Sequence, residues 1–125
     1  MPKYAYALAD ERPYLVHGRH GVFMRPLHDA YIGRSLGTYG EYSEIELQAL
    51  FVVTRPGDVV VEVGANIGAH AIPLARRIGA EGRLHAFEPQ AGVYEMLARN
   101  VALNRLDNVV LHRAAAGAAP GVLRY

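Results

Sequence analysis

Apolar and polar positions follow two rhythms along this chain. From residue 58 onward short apolar runs alternate with stretches of helical period, whereas before residue 58 the apolar stretches are short and irregular. Asp58-Val59-Val60-Val61-Glu62-Val63 predicts a strand. Its continuous valines suit the centre of a parallel sheet covered on both faces. A helix is predicted over His70–Ile78, with Pro73 tolerated only near the first turn. Gly79–Gly82 closes that helix, and Arg83–Phe87 predicts a second strand ended by Glu88-Pro89, since the residue before proline is held extended. Val93, Leu97 and Val101, at i, i+4 and i+8, predict a helix over Gln90–Leu103. Asn104–Asn108 reads as a polar turn, Val109–Arg113 as a third strand and Val122–Tyr125 as the start of a fourth. Strand and helix alternating at this spacing imply right-handed parallel crossovers and half of a doubly wound α/β sheet.

The first part of the chain predicts less. Tyr14–His17 and Gly21–Arg25 flank Gly18–His20 as the arms of a hairpin. Ser43 and Glu46 have the spacing of a capping box, in which each side chain would satisfy an orphan backbone N–H. Ile45, Leu47, Leu50, Phe51 and Val52 then form a wide apolar face on a helix ending near Thr54, before Pro56-Gly57 turns the chain. The division that follows is an N-terminal extension over residues 1–57 and a ligand-binding half domain over residues 58–125.

Composition narrows the function classes. One domain at most fits 125 residues, and 51% hydrophobic with 20% charged residues is a globular balance. With no cysteine, disulfides, zinc–thiolate sites and a cysteine nucleophile are excluded. Positive and negative residues number 6 and 6 over Met1–Gly57 and 7 and 6 over Asp58–Tyr125, so no nucleic-acid partner is expected. No apolar run reaches the roughly 18 residues of a membrane span, so no membrane partner is expected and the cytoplasm is the default compartment.

The chemistry concentrates after the first parallel strand, where ligands of open parallel sheets bind. Gly64-Ala65-Asn66-Ile67-Gly68 follows that strand and opens a helix. Two glycines permit a tight turn and close backbone approach. Glu88 lies 88 − 64 = 24 residues beyond Gly64 at the end of the second strand, where a carboxylate can accept both hydroxyls of an adenosine ribose. Glu62, just before the loop, either holds the amino group of a methionine moiety or interacts with the helix dipole. A dinucleotide fingerprint would require glycine at positions 66 and 69, which are Asn66 and Ala69 here. A second glycine lets the backbone approach a pyrophosphate, and Asn66 would obstruct it. No Gly-Lys-Ser/Thr follows, which excludes a P-loop. S-adenosylmethionine has no pyrophosphate, and the loop therefore favours that cofactor over NAD.

Val61-Glu62-Val63-Gly64-Ala65-Asn66-Ile67-Gly68, Ala86-Phe87-Glu88-Pro89, and Asn100 and Asn104 before Asn108-Val109 together resemble FkbM-type methyltransferases. Tyr31-Ile32-Gly33 and Tyr39-Gly40-Glu41-Tyr42 are compatible with that family's entrance segment, so the resemblance spans about Tyr31–Gly117. It implies a Rossmann-like class I methyltransferase fold and S-adenosylmethionine as cofactor. Glu62, Gly64, Ala65, Asn66 and Gly68 would lie along its methionine end and Glu88 at its ribose. It also implies methyl transfer to oxygen, on a sugar or other small-molecule acceptor. The family pattern continues beyond residue 125, so no catalytic residue is assigned. The chain alone is expected to lack turnover and to self-associate through an exposed strand edge over Val59–Val63. The rival readings are an NAD- or nucleotide-binding oxidoreductase domain and a non-catalytic fragment.

Other candidates are weaker. His17 and His20 sit on the hairpin without a carboxylate beside them in sequence, so no metal site is expected. His70 follows the glycine loop and is either a general base or a packing residue. The tyrosines of the first region lack the positive charge that a stacking platform for single-stranded nucleic acid needs.

Overall fold

The computed structural model describes residues 14–26, 29, 31–122 and 124. β1 (Tyr14–Gly18) and β2 (Gly21–Arg25) form the expected antiparallel hairpin, with Val16 opposite Phe23. Two helices follow, α1 (Ile32–Tyr39) and α2 (Glu44–Val53). The remaining elements are β3 (Val59–Val63), α3 (Ala71–Ile78), β4 (Arg83–Phe87), α4 (Ala91–Leu103) and β5 (Val109–His112). Each matches its sequence-based range to within about a residue, with Gly or Pro marking the ends of β3, α3 and β4 and the polar turn at Asn104–Asn108 separating α4 from β5. Pro73, third in α3, costs nothing there since the first-turn N–H groups have no intrahelical partner.

The three later strands form a parallel sheet in the order β3-β4-β5. Register places Val60 beside Leu84 and Glu62 beside Ala86, with Val109 and Leu111 continuing that face on β5. α3 and α4 cover it, and Leu84, Ala86, Leu97, Ala71, Ala75 and Ile78 form its buried core together with Leu47 of α2. A second cluster joins Val16, Phe23 and Leu36 of the first region to Ile67 and Ile72 of the second.

Several expectations change. β3 is an edge strand of the described sheet, as the exposed edge over Val59–Val63 anticipates, but it is not covered on both faces: Val59, Val61 and Val63 on its other face are 69%, 61% and 59% exposed. The capping box does not form. Ser43 takes a left-handed conformation (φ 47°) and makes no side-chain cap bond, while its carbonyl accepts from Leu47 N. Glu46 is thereby released from the helix end. The wide apolar face of α2 is not all core, since Leu47 is buried but Ile45 and Val52 are 89% and 81% exposed. α1 is unforeseen because Gly33 and Gly37 lower its helix propensity. Both glycines are buried, so the helix packs closely where side chains are absent. The expected fourth strand is not seen: Val122 is exposed irregular chain, and Leu123 and Tyr125 lie outside the described residues.

Asn100 of α4 and Asn104, the residue that caps its C-terminal end, attach the hairpin. Asn100 Oδ1 accepts from Met24 N at 2.6 Å and its Nδ2 donates to Met24 O at 3.0 Å. Asn104 repeats the pattern one turn later with Val22 N (3.0 Å) and Val22 O (2.7 Å). Four helical residues rise about 6 Å and two strand residues about 6.7 Å, so i, i+4 on the helix matches i, i+2 on the strand. The amides thus pair with β2 much as a neighbouring strand would.

Candidate functional site

The glycine loop folds over the end of β4. Gly64 N and Ala65 N both donate to Phe87 O at 2.9 Å. Gly64 has φ 78° and Gly68 φ 98°, conformations that side chains rarely adopt. A Cβ at Gly64 would meet nothing within 4 Å, so the chain there is open to a ligand, whereas at Gly68 it would press on Leu97 and Ile72 at 3.1 and 3.3 Å. Asn66 is also left-handed (φ 54°), a position where asparagine is among the better-tolerated residues after glycine. Its Oδ1 accepts from Ile67 N at 2.9 Å, which fastens the turn from within.

Glu88 is 5% exposed and shapes the same loop. Its Oε1 accepts from Asn66 N at 3.1 Å and its Oε2 from Gln90 N at 3.0 Å. The structure thus joins Glu88 directly to the glycine loop. It also means that the amides of Asn66 and Ile67 already have partners within the protein. Asn100 supports the loop from below, with Nδ2 donating to Ile67 O at 2.8 Å, and is fully buried.

Beside the loop opens a pocket of about 380 Å³. Its walls combine Glu62, Gly64, Ala65, Asn66 and His70 with Tyr42 and Glu46 from the first region. Glu62 Oε2 is buried and has no hydrogen-bond partner among the described residues. Burial pushes the Glu62 carboxyl up to about 7, and the nearby charge of Glu46 adds to the push. Buried carboxylates normally find a partner, so this atom marks the place where a cation or donor would be held. Tyr42 faces His70 with ring centroids 5.7 Å apart, and His70 Nε2 donates to Tyr42 O at 3.2 Å.

Of the six residues singled out in the sequence for the cofactor, Glu62, Gly64, Ala65 and Asn66 line the pocket, whereas Gly68 closes the loop against Leu97 and Ile72 and Glu88 lies behind it. Sequence reasoning missed Glu46, which it had assigned to helix capping; for the tyrosines of the first region it left interface and pocket wall open, and Tyr42 is on the wall. The only signal was the Tyr39–Tyr42 stretch. His20 proves to have a carboxylate partner, Glu44, with Nε2 at 2.8 and 2.9 Å from the two oxygens. Among the described residues no group of three or more His, Asp or Glu is arranged to hold a metal ion. No described helix is long and apolar enough to cross a membrane.

Comparison with solved structures places this architecture. The chain is similar to TYW2 of M. jannaschii solved in complex with AdoMet, at TM-score 0.68 and 23% identity over 84% of this chain and 44% of that one. It is similar to aTrm5 solved with tRNALeu, at TM-score 0.63 and 18% identity over 84% of this chain and 29% of that one. A SAM-dependent methyltransferase from Aquifex aeolicus matches at TM-score 0.51 and 21% identity, over 58% of this chain and 38% of that one. The fold is thus the Rossmann-like fold of class I methyltransferases, and the chain spans less than half the length of each of these proteins. No protein-family model matches the sequence, and no curated protein does.

One expectation is overturned here. Balanced charge led to the exclusion of nucleic acid, yet a structure sharing this fold was solved with tRNALeu. Net charge sums over a whole surface and is blind to a local cluster of phosphate-contacting residues. Over a span equal to 29% of such a protein it excludes nothing.

Proposed function

We propose that this chain is the donor-binding part of an S-adenosylmethionine-dependent methyltransferase of FkbM type, acting on a hydroxyl group in the cytoplasm. The observation that carries the reading is the buried, unpartnered Oε2 of Glu62 at the mouth of the glycine loop. When bound, the cofactor would supply an electrophilic methyl group on a cationic sulfur. Glu62 would accept the ammonium of its methionine end, and Gly64 would let the backbone approach closely. Glu88, already fixed by two backbone amides, would use its remaining lone pairs on the ribose hydroxyls. A pyrophosphate fits poorly. The Asn66 and Ile67 amides are taken. Glu62 and Glu46 would repel its charge.

A sugar or small-metabolite hydroxyl is the acceptor that the FkbM resemblance suggests. The tRNA-bound relative in fold favours RNA as a second reading. Calorimetric titration with S-adenosylhomocysteine and with NAD tests the donor assignment. The first should bind and the second should not; tighter NAD binding would overturn it. Glu88→Ala, if folded, should weaken S-adenosylhomocysteine by roughly ten- to hundred-fold, the worth of a charge-assisted hydrogen bond of about 1.5–3 kcal/mol.

A further inference from the structure

The pocket has a second carboxylate that the donor does not need. Glu46 sits on α2, opposite the glycine loop, and lines the pocket that Glu62 also lines. It is close enough for the two charges to act on each other. Because Ser43 is left-handed, Glu46 is not spent on capping, and among the described residues no hydrogen bond or ion pair occupies it. The wall also carries the Tyr42 phenol and His70, which commits Nε2 to the Tyr42 carbonyl. With Ile32, Tyr42 and Leu50, Glu46 belongs to the part of the wall that comes from outside the strand–helix unit.

We propose that Glu46 is the acceptor-side carboxylate of the site, taking the proton of a neutral hydroxyl or amine acceptor as it is methylated. This rests on the donor reading above. The acceptor atom bonds to the methyl carbon as the carbon–sulfur bond breaks. The sulfur keeps the bonding pair and becomes a neutral thioether, and the acceptor's proton passes to Glu46. A carboxylate there repels an acceptor whose reacting group is itself a phosphate or carboxylate, so the class admitted is neutral at the reacting atom, which keeps the lone pair that attacks the methyl. An RNA acceptor would have to present a ribose hydroxyl or a base, with its phosphates held elsewhere.

The test needs no acceptor. Sinefungin is an S-adenosylmethionine analogue carrying a protonated amine where the transferable methyl projects, and S-adenosylhomocysteine has nothing there. Titrated calorimetrically into the 125-residue chain, sinefungin should bind about tenfold more tightly than S-adenosylhomocysteine, the lower end for a charge-assisted contact. Glu46→Gln should bring that ratio to about one while S-adenosylhomocysteine binds within about twofold of the parent. Glu62→Gln should weaken both ligands alike, since both carry the amino acid end. If Glu46→Gln keeps the tenfold preference, Glu46 does not face the methyl and the inference is wrong, with the donor reading intact. If the parent binds neither ligand, the donor reading fails and this inference with it.

Discussion

The two regions that meet at the pocket are held by different forces. The strand–helix unit from β3 to β5 buries its own apolar side chains, with Leu84, Leu97, Ile78 and Ala86 all fully excluded from solvent. The hairpin and first two helices own few such residues, chiefly Val16, Phe23, Leu36 and Leu47, and these pack into clusters completed by the other region. Polar side chains make up the difference. Asn100 and Asn104 pair with β2. Arg77 reaches the end of α2, donating from Nη2 to Phe51 O at 2.9 Å and from Nε to Thr54 O at 3.2 Å. Its guanidinium lies 5.6 Å from the Phe51 ring centre. Those carbonyls belong to the helix end that has no intrahelical donor, where a cation is favoured. A strand–helix unit specifies itself through nonpolar burial, whereas an appended region is located by directional hydrogen bonds. Directional bonds suit a wall that has to place Glu46 and Tyr42 accurately.

Substitutions should separate the two forces. Leu97→Ala should produce the largest loss. Leu97 is fully buried beneath Gly68, and such truncations cost about 2–5 kcal/mol. Urea denaturation should show both regions unfolding together at lower denaturant. Survival of either region alone would mean that the clusters are not shared.

Proton linkage at the junction comes next. Glu62 titrates near 7 in the folded protein against an ordinary value of 4.5, so the folded state binds its proton more tightly. That contribution is complete below about 4.5 and is lost as pH rises through about 7, amounting to on the order of 3 kcal/mol. Glu62→Gln should therefore flatten the decline in stability between about pH 5 and about pH 8. Glu46→Gln should reduce it in part, through the smaller of the two causes. An unchanged pH profile in Glu62→Gln would show that the carboxyl is solvated.

Asn100→Ala should cost about 1–3 kcal/mol by leaving Met24 N, Met24 O and Ile67 O short of partners. Asn104→Ala should cost less, because Asn104 is only half-buried where Asn100 is fully buried, and it has no bond to the glycine loop. Amide hydrogen exchange should then show β2 opening in both variants and Ile67–Gly68 loosening only in Asn100→Ala. The smallest effect belongs to Arg19 and Glu41, paired at 2.9 Å but 59% and 34% exposed. Arg19→Ala should change stability by less than about 1 kcal/mol. A larger loss would indicate that the Arg19 N to Gly40 O bond, not the charge, had been disturbed.

By itself the sequence determined the strand–helix alternation, its boundaries, and the grouping of Glu62, Gly64–Gly68 and Glu88 at one end of a parallel sheet. That information is local. Valine runs, a 3.6-residue apolar period and Gly or Pro stops act within a dozen residues, and crossover handedness then leaves little choice of topology. Tertiary structure alone decided the rest. Asn100, Asn104 and Asn108 read as members of a motif and a polar turn, yet Asn100 and Asn108 are buried. Asn108 donates to Ala75 O and Gly79 O, and Asn100 reaches a strand 76 residues earlier. Ser43 and Glu46 have the spacing of a capping box, but the left-handed turn at Ser43 withdraws both from it. A polar side chain carries no periodic mark of which distant backbone group it will meet. Its role is set only when two segments far apart in the chain have been brought to within about 3 Å of each other.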